Sequence, residues 1–275
     1  MRTPINDVRT LRYPKDVDMN SLRLTALRAL CEPDALTKAG MAQALDLELP
    51  IDADAVIDTQ AVIPGRPAKP ELVPFIELSK RPLSTVEGRA AMIHSIAHIE
   101  FNAIDLATDI VWRFPNMPDQ FYRDWVGIAK EEALHFTLLR DHLVEMGYDY
   151  GSFPAHDALW QMAQRTKDDI LARIALVPRT LEARGLDASP AVKRRLVDAG
   201  DHKVGKILDI ILRDEIGHVA AGNRWYRWVC EQRGLDPIST YPELAAKYDA
   251  PKLRGPFNIE ARRAAGFTDL ELSRL

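Results

Sequence analysis

RDEIGH, Arg213 to His218, decides how this chain is read, because KEEALH, Lys130 to His135, states the same pattern 83 residues earlier. Each is Glu-x-x-His preceded by a base and an acid, and a spacing of three puts the carboxylate and the imidazole one turn apart on one face of a helix. The residues that share a face with Glu132 at helical spacing are Trp125, Ile128, Ala129, His135, Phe136 and Leu139. Those around Glu215 are Leu208, Ile211, Leu212, His218, Val219 and Gly222. Both pairs are therefore predicted to face inward from amphipathic helices.

Outward from these two stretches the helical period continues. QFYRDWVGIAKEEALHFTLLRDHLVEMG predicts a helix over about 119–146 with Gly147 as its stop, and the second motif lies in a helix over about 201–233 closed by Gly234 and Pro237. STVEGRAAMIHSIAHIEFNAIDLATDIVW, from Ser84, predicts a helix over about 84–113, with Ser84 and Glu87 as a capping box. A further helix is expected over about 157–184, kinked or shortened by Pro178, followed by GLDASP and a short helical stretch. Four long helices and little β signal give an all-α fold with a four-helix bundle at residues 84–235. Residues 1–83 read as a helical lead-in, with helices near Ser21–Leu30 and Ala35–Leu45 and the Pro-rich connector IPGRPAKPELVPF (Ile63–Phe75), expected to wrap the bundle. Residues 236–275 read as a loop-rich C-terminal extension with a short helical end, to which the sequence assigns no chemistry. The loop between the second and third long helices is short for a bundle with a long crossover, so part of the third is expected to serve as one.

Composition narrows the function. With 275 residues, 47% hydrophobic and 28% charged, the chain can bury one large core. A formal charge of −4 disfavours a broad nucleic-acid surface. Cys31 and Cys230 form no C-x-x-C motif, so neither a disulfide framework nor a thiolate zinc site is predicted. No apolar run suggests a leader or a membrane span, and a reducing cytoplasm is the expected setting.

Two further glutamates complete a set. Glu100 shares its face with Ile93, Ile96, Ala97, Ala103, Ile104 and Ala107, and Glu182 follows Leu171, Ile174, Ala175 and Pro178, with Arg179 on the same side. Glu100 and Glu132 are 32 residues apart, Glu182 and Glu215 33 apart, so each pair fits one helix running up and the next returning to the same level. Buried carboxylates without compensation are costly, and bound cations are the simplest compensation. One Glu from each of two helices and Glu-x-x-His from each of the other two is a di-metal ligand set: Glu100, Glu132, His135, Glu182, Glu215 and His218.

On these residues the chain resembles the ferritin-like di-iron and di-manganese carboxylate superfamily, and more closely a bacterial family of ferritin-like proteins with no assigned function. The likeness covers about residues 84–233. It implies that Asp214, and Glu131 as its counterpart in the first half, accept hydrogen bonds from the non-ligating ring nitrogen of the opposite half's histidine. It implies two iron ions, or iron and manganese, as cofactor, and reaction of the reduced metals with dioxygen or peroxide.

The leading expectation is an oxidase or monooxygenase acting on a small-molecule substrate with an electron donor, without membrane or general nucleic-acid partners. Ile96, Ile104, Ile128, Phe136, Ile211 and Leu212 are candidates to line its cavity. The alternatives are a metal-handling protein that oxidises or buffers iron, and an enzyme similar to the di-iron tRNA hydroxylases. The third would use Lys193, Arg194, Arg195, Lys203 and Lys206, which read first as a solvated face. Long terminal segments argue against cage assembly and leave a homodimer as the oligomer considered. His94 and His98, on a face offset from Glu100, read as structural or supporting groups, His156 as a loop or cap residue, and His142 and His202 as surface residues.

Overall fold

The computed structural model describes residues 20–79 and 81–275. The N-terminal stretch read above for a leader lies, up to residue 19, outside the described residues. Among the described residues the fold is all-α, and extended pairing is confined to one bridge between Leu72 and Ala155. No described helix is long and apolar enough to cross a membrane.

The helices are α1 (Leu22–Cys31), α2 (Ala35–Gln43), α3 (Val86–Arg113), α4 (Asp119–Glu145), α5 (Ala158–Arg165), α6 (Ile170–Leu176), α7 (Ala183–Asp198), α8 (His202–Gln232), α9 (Pro237–Lys247), α10 (Ile259–Ala264) and α11 (Asp269–Leu272). Packing divides the chain into two units, Met1–Ala68 with Ala103–Leu134, and Lys69–Asn102 with His135–Leu275. Helices α3 and α4 run unbroken through the points of division.

In the first unit the lead-in is tied to its part of α3 by buried cations. Arg23, fully buried, donates to the carbonyls of Val111 and Trp112, two of the last turn of α3, and to those of Asp52, Ala53 and Ala55. A helix leaves its last four carbonyls unsatisfied, so this guanidinium caps α3 from outside the helix. Lys38 of α2 reaches the buried Asp105 of α3 and the Gly65 carbonyl. Burial, opposed by Lys38, pushes the Asp105 carboxyl up to about 6. The connector passes so close to α1 that a Cβ on Gly65 would lie 2.2 Å from the Cys31 carbonyl oxygen, which leaves room for glycine alone.

In the second unit α6 and α7 pack against α8, and α10 and α11 join them over an apolar cluster that includes Leu186, Val219, Ala265 and Phe267. Helix α4 stops at Gly147, whose φ of +85° suits glycine, with Tyr148 N–H donating back to the Leu143 carbonyl. Asp201 caps α8 by accepting from Val204 N–H.

Three expectations need correction. The predicted helix over 157–184 is several elements: α5 and α6 are separated at residues 166–169, where Asp169 starts α6 as its N-cap, and Val177–Glu182 is π-helical before α7. Pro178 has no N–H to give the α ladder, and the slip to a wider turn absorbs the defect; the Thr180 hydroxyl takes the Ala175 carbonyl at 2.7 Å. The start of α3 is capped by Thr85, whose hydroxyl accepts from Gly88 N–H at 3.0 Å, while Glu87 bonds Arg81, so Ser84 and Glu87 form no capping box. His142 is buried against Asp201, 2.9 Å away, and is no surface residue.

Candidate metal centre

Helices α3, α4 and α8 carry the candidate ligands. Glu100, Glu132, His135, Glu215 and His218 are all buried, with Glu132 and His135 at 0% exposure. The long apolar faces of these helices force the burial, since turning any of the acids outward would expose neighbours such as Ile93, Ala129, Phe136 or Val219. Glu132 sits one unbroken turn before His135, as Glu215 does before His218.

Donor atoms of Glu100, Glu132, His135 and Glu215 lie within 4.8 Å of one another. Three carboxylates and one imidazole that close, in the core, can hold a metal ion. His135 is held at both ring nitrogens: Nδ1 is 3.2 Å from Glu100 Oε2 and Nε2 is 3.1 Å from Asp214 Oδ2. With its Nε2 proton donated to Asp214, the ring presents the Nδ1 lone pair to a cation beside Glu100, whereas a doubly protonated ring donates to both carboxylates. Asp214 is fit for that role. Burial works to raise its carboxyl, but hydrogen bonds from Arg213 and His135 outweigh this and hold it below the usual carboxylate range.

His218 stands beside this group. Its ring centroid is 5.9 Å from that of His135, and its Nδ1 is 3.6 Å from Glu215 Oε1. Glu182 is half-buried at the end of the π-helical turn, which itself packs on α8. Neither belongs to the compact four-donor group. Glu131 is exposed on α4. Of the apolar candidates, Ile104, Ile128, Phe136 and Ile211 are buried, and Ile96 and Leu212 are half-buried. Arg179, which shares a side with Glu182 in sequence, is turned to other partners, Asn223 and Glu271.

The remaining histidines have local roles. His94 accepts from Gly151 N–H at 2.9 Å, so its proton sits on Nδ1, and burial lowers its pKa to about 4. His98 joins the Tyr150 hydroxyl at 2.8 Å and the His156 carbonyl at 3.1 Å, and His156 Nδ1 accepts from Ala158 N–H at the start of α5. Tyr150 stacks on the rings of His94 and His98 and meets Phe101 at a tilt and Phe136, the neighbour of His135, edge-on. Sequence periodicity gave no sign of this loop residue, because it lies outside any helix. His202 is exposed. In the basic stretch Lys193 pairs with Asp209 and Lys203 with Glu145.

Comparison with known proteins adds a family. The model for "Protein of unknown function (DUF455)" matches residues 31–273, and the chain belongs to that family. An uncharacterized protein of Haemophilus influenzae is 49% identical over 213 residues, which is 75% of this chain and 74% of that protein. No solved structure matches.

Proposed function

We propose that this member of the family is a ferritin-like di-metal carboxylate protein, an oxidase or monooxygenase that uses iron or manganese with dioxygen or peroxide. The observation that carries the reading is the four-donor group of Glu100, Glu132, His135 and Glu215, buried and braced from outside by Asp214. Carboxylate and imidazole donors without thiolate suit iron or manganese better than a closed structural zinc site. Glu182 and His218 are the residues that would hold a second ion.

When bound, a pair of reduced metal ions supplies electrons to dioxygen or peroxide. The chain's part is to hold and to shield. Glu132 and Glu215 each sit one helical turn before a buried histidine, so each helix offers a carboxylate and an imidazole on one face. Asp214 fixes the His135 tautomer. Buried Phe136 and Ile211 keep apolar surface beside His135 and Glu215, in the dry surroundings that protect a reactive site. The substrate is a small molecule, and electrons come from a separate donor.

Protein isolated without added metal should contain about two iron or manganese ions per chain, and Glu132→Ala should lose them. Ferrous-loaded protein mixed with oxygen should change its visible absorption. Two zinc ions per chain reject iron and manganese, and absence of metal rejects the di-metal reading; bound iron with no oxygen-dependent change rejects the oxidase and leaves metal handling. Asp214→Asn should weaken metal binding roughly 10 to 100-fold, as loss of an outer-shell partner does elsewhere. Competition titration against a chelator measures it, and an unchanged affinity would show that Asp214 does not orient His135.

A further inference from the structure

The C-terminal extension builds a cavity of about 180 Å³ together with the π-helical turn. An engineered apolar cavity of about 150 Å³ holds one benzene ring, so this one has room for a monocyclic molecule. Its walls are flat and apolar: Pro237, Ile238, Tyr241 and Pro242 from α9, Leu253 from the following loop, and Phe267 ahead of α11. Buried charges frame it. The Arg179 guanidinium lies over the rings of Tyr226 and Tyr241, 4.7 Å from each, and 5.0 Å from Phe267, while donating to Asn223 and Glu271. Arg262 donates twice to Asp187 and lies 5.3 Å from the Phe267 ring.

Charge around this cavity selects the ligand. Glu271 answers Arg179 and Arg227, and Asp187 answers Arg262. Arg274 and Leu275 also line the cavity, Arg274 exposed and Leu275 half-buried. Asp236, at the start of α9, is committed to capping that helix through the backbone of Ile238 and Ser239. A ligand that fits has one ring for the apolar walls and one acidic substituent for Arg274.

We propose that this cavity binds a monocyclic aromatic acid, with its ring between Tyr241, Pro242 and Leu253 and its anionic group at Arg274. Aromatic rings pack favourably on aromatic and proline surfaces, and Arg179 and Arg262, already paired with Glu271 and Asp187, do not compete for the anion. The cavity is separate from the metal donors, so the proposal stands apart from the di-metal reading. It gives the extension a task. Because Arg179 and Thr180 belong to the turn that ends at Glu182, and Thr180 meets the Tyr241 hydroxyl at 2.9 Å, a ligand here touches the segment that carries that glutamate.

The test titrates benzoate into the full-length, metal-free chain by calorimetry and ligand-observed NMR. One saturable site per chain is expected. Ile238→Trp and Leu253→Trp, which fill the cavity from two sides, should abolish it, with circular dichroism confirming that each variant is folded. Arg274→Gln should weaken benzoate about tenfold, and toluene should bind more weakly than benzoate. Absence of saturable benzoate binding, or binding unchanged in both filled variants, overturns the site. Toluene binding as tight as benzoate, with Arg274→Gln without effect, overturns the acidic ligand.

Discussion

Ferrous or manganous ion, added without oxygen to the metal-free chain, should raise its unfolding temperature, and Glu132→Ala should remove most of that rise. In the metal-free protein Glu100, Glu132 and Glu215 bring three buried carboxylates within 4.8 Å of one another and of His135. Their mutual repulsion and lost hydration must be met by protonation or borne as strain, and a cation relieves both. A ligand bound only by the folded state adds RT ln(1 + [L]/Kd), about 2.7 kcal/mol at about 100 times Kd. For a chain of this size that corresponds to roughly 5 °C. Glu132→Ala removes a donor but also a buried charge, and opens space where the side chain was fully enclosed, so its effect on the metal-free protein has no fixed sign. The comparison is therefore the rise on adding metal, measured within each variant. A wild type whose melting is unmoved by either ion would end the metal reading. An equal rise in both proteins would place the ion elsewhere.

Arg23→Met should destabilise the first unit by several kcal/mol, because it leaves buried carbonyls unsatisfied at about 1–3 kcal/mol each. The arginine is fully buried, and its guanidinium serves five backbone carbonyls, from 2.6 Å at Ala55 and Trp112 to 3.3 Å at Ala53 and Val111. Burial lowers its pKa, although Tyr122 and the acids Asp52 and Asp54 act the other way, so the charge itself is held at a cost that the carbonyls offset. Methionine keeps much of the volume and none of the donors. It strands the last carbonyls of α3 together with the loop at residues 52–55. Lysine at this position keeps the charge but cannot fork to five acceptors, so Arg23→Lys should fall between the two. Urea unfolding gives the magnitude, and hydrogen exchange should show faster opening at residues 22–31 and 108–113 together. A loss below about 1 kcal/mol in Arg23→Met would mean that water replaces the guanidinium at little cost.

The sequence alone determined what depends on near neighbours. Apolar residues at spacings of three and four fixed α3, α4 and α8 almost to their observed ends, and the same periodicity predicted that Glu100, Glu132, Glu215 and their histidines would be buried. Helical propensity and facing are settled within a few residues, so they can be read from the chain. Where a local rule had competing solutions, only the folded protein chose. Pro178 could kink or end its helix, and packing against α8 favoured a π-helical turn that continues into α7. Ser84 was the expected cap, and in the folded chain the Thr85 hydroxyl takes Gly88 N–H instead. His142 looked like a surface residue because its partner, Asp201, lies 59 residues away. Arg23 reads as an ordinary helical arginine until the end of α3, 88 residues on, is brought to it. Those pairings depend on which surfaces meet, a quantity set by the packing of the whole chain and not by any window of sequence. The meeting of Glu100 with His135 and Asp214 is of the same kind: the faces were legible, but the distances of 3.2 and 3.1 Å are decided by how α3, α4 and α8 converge.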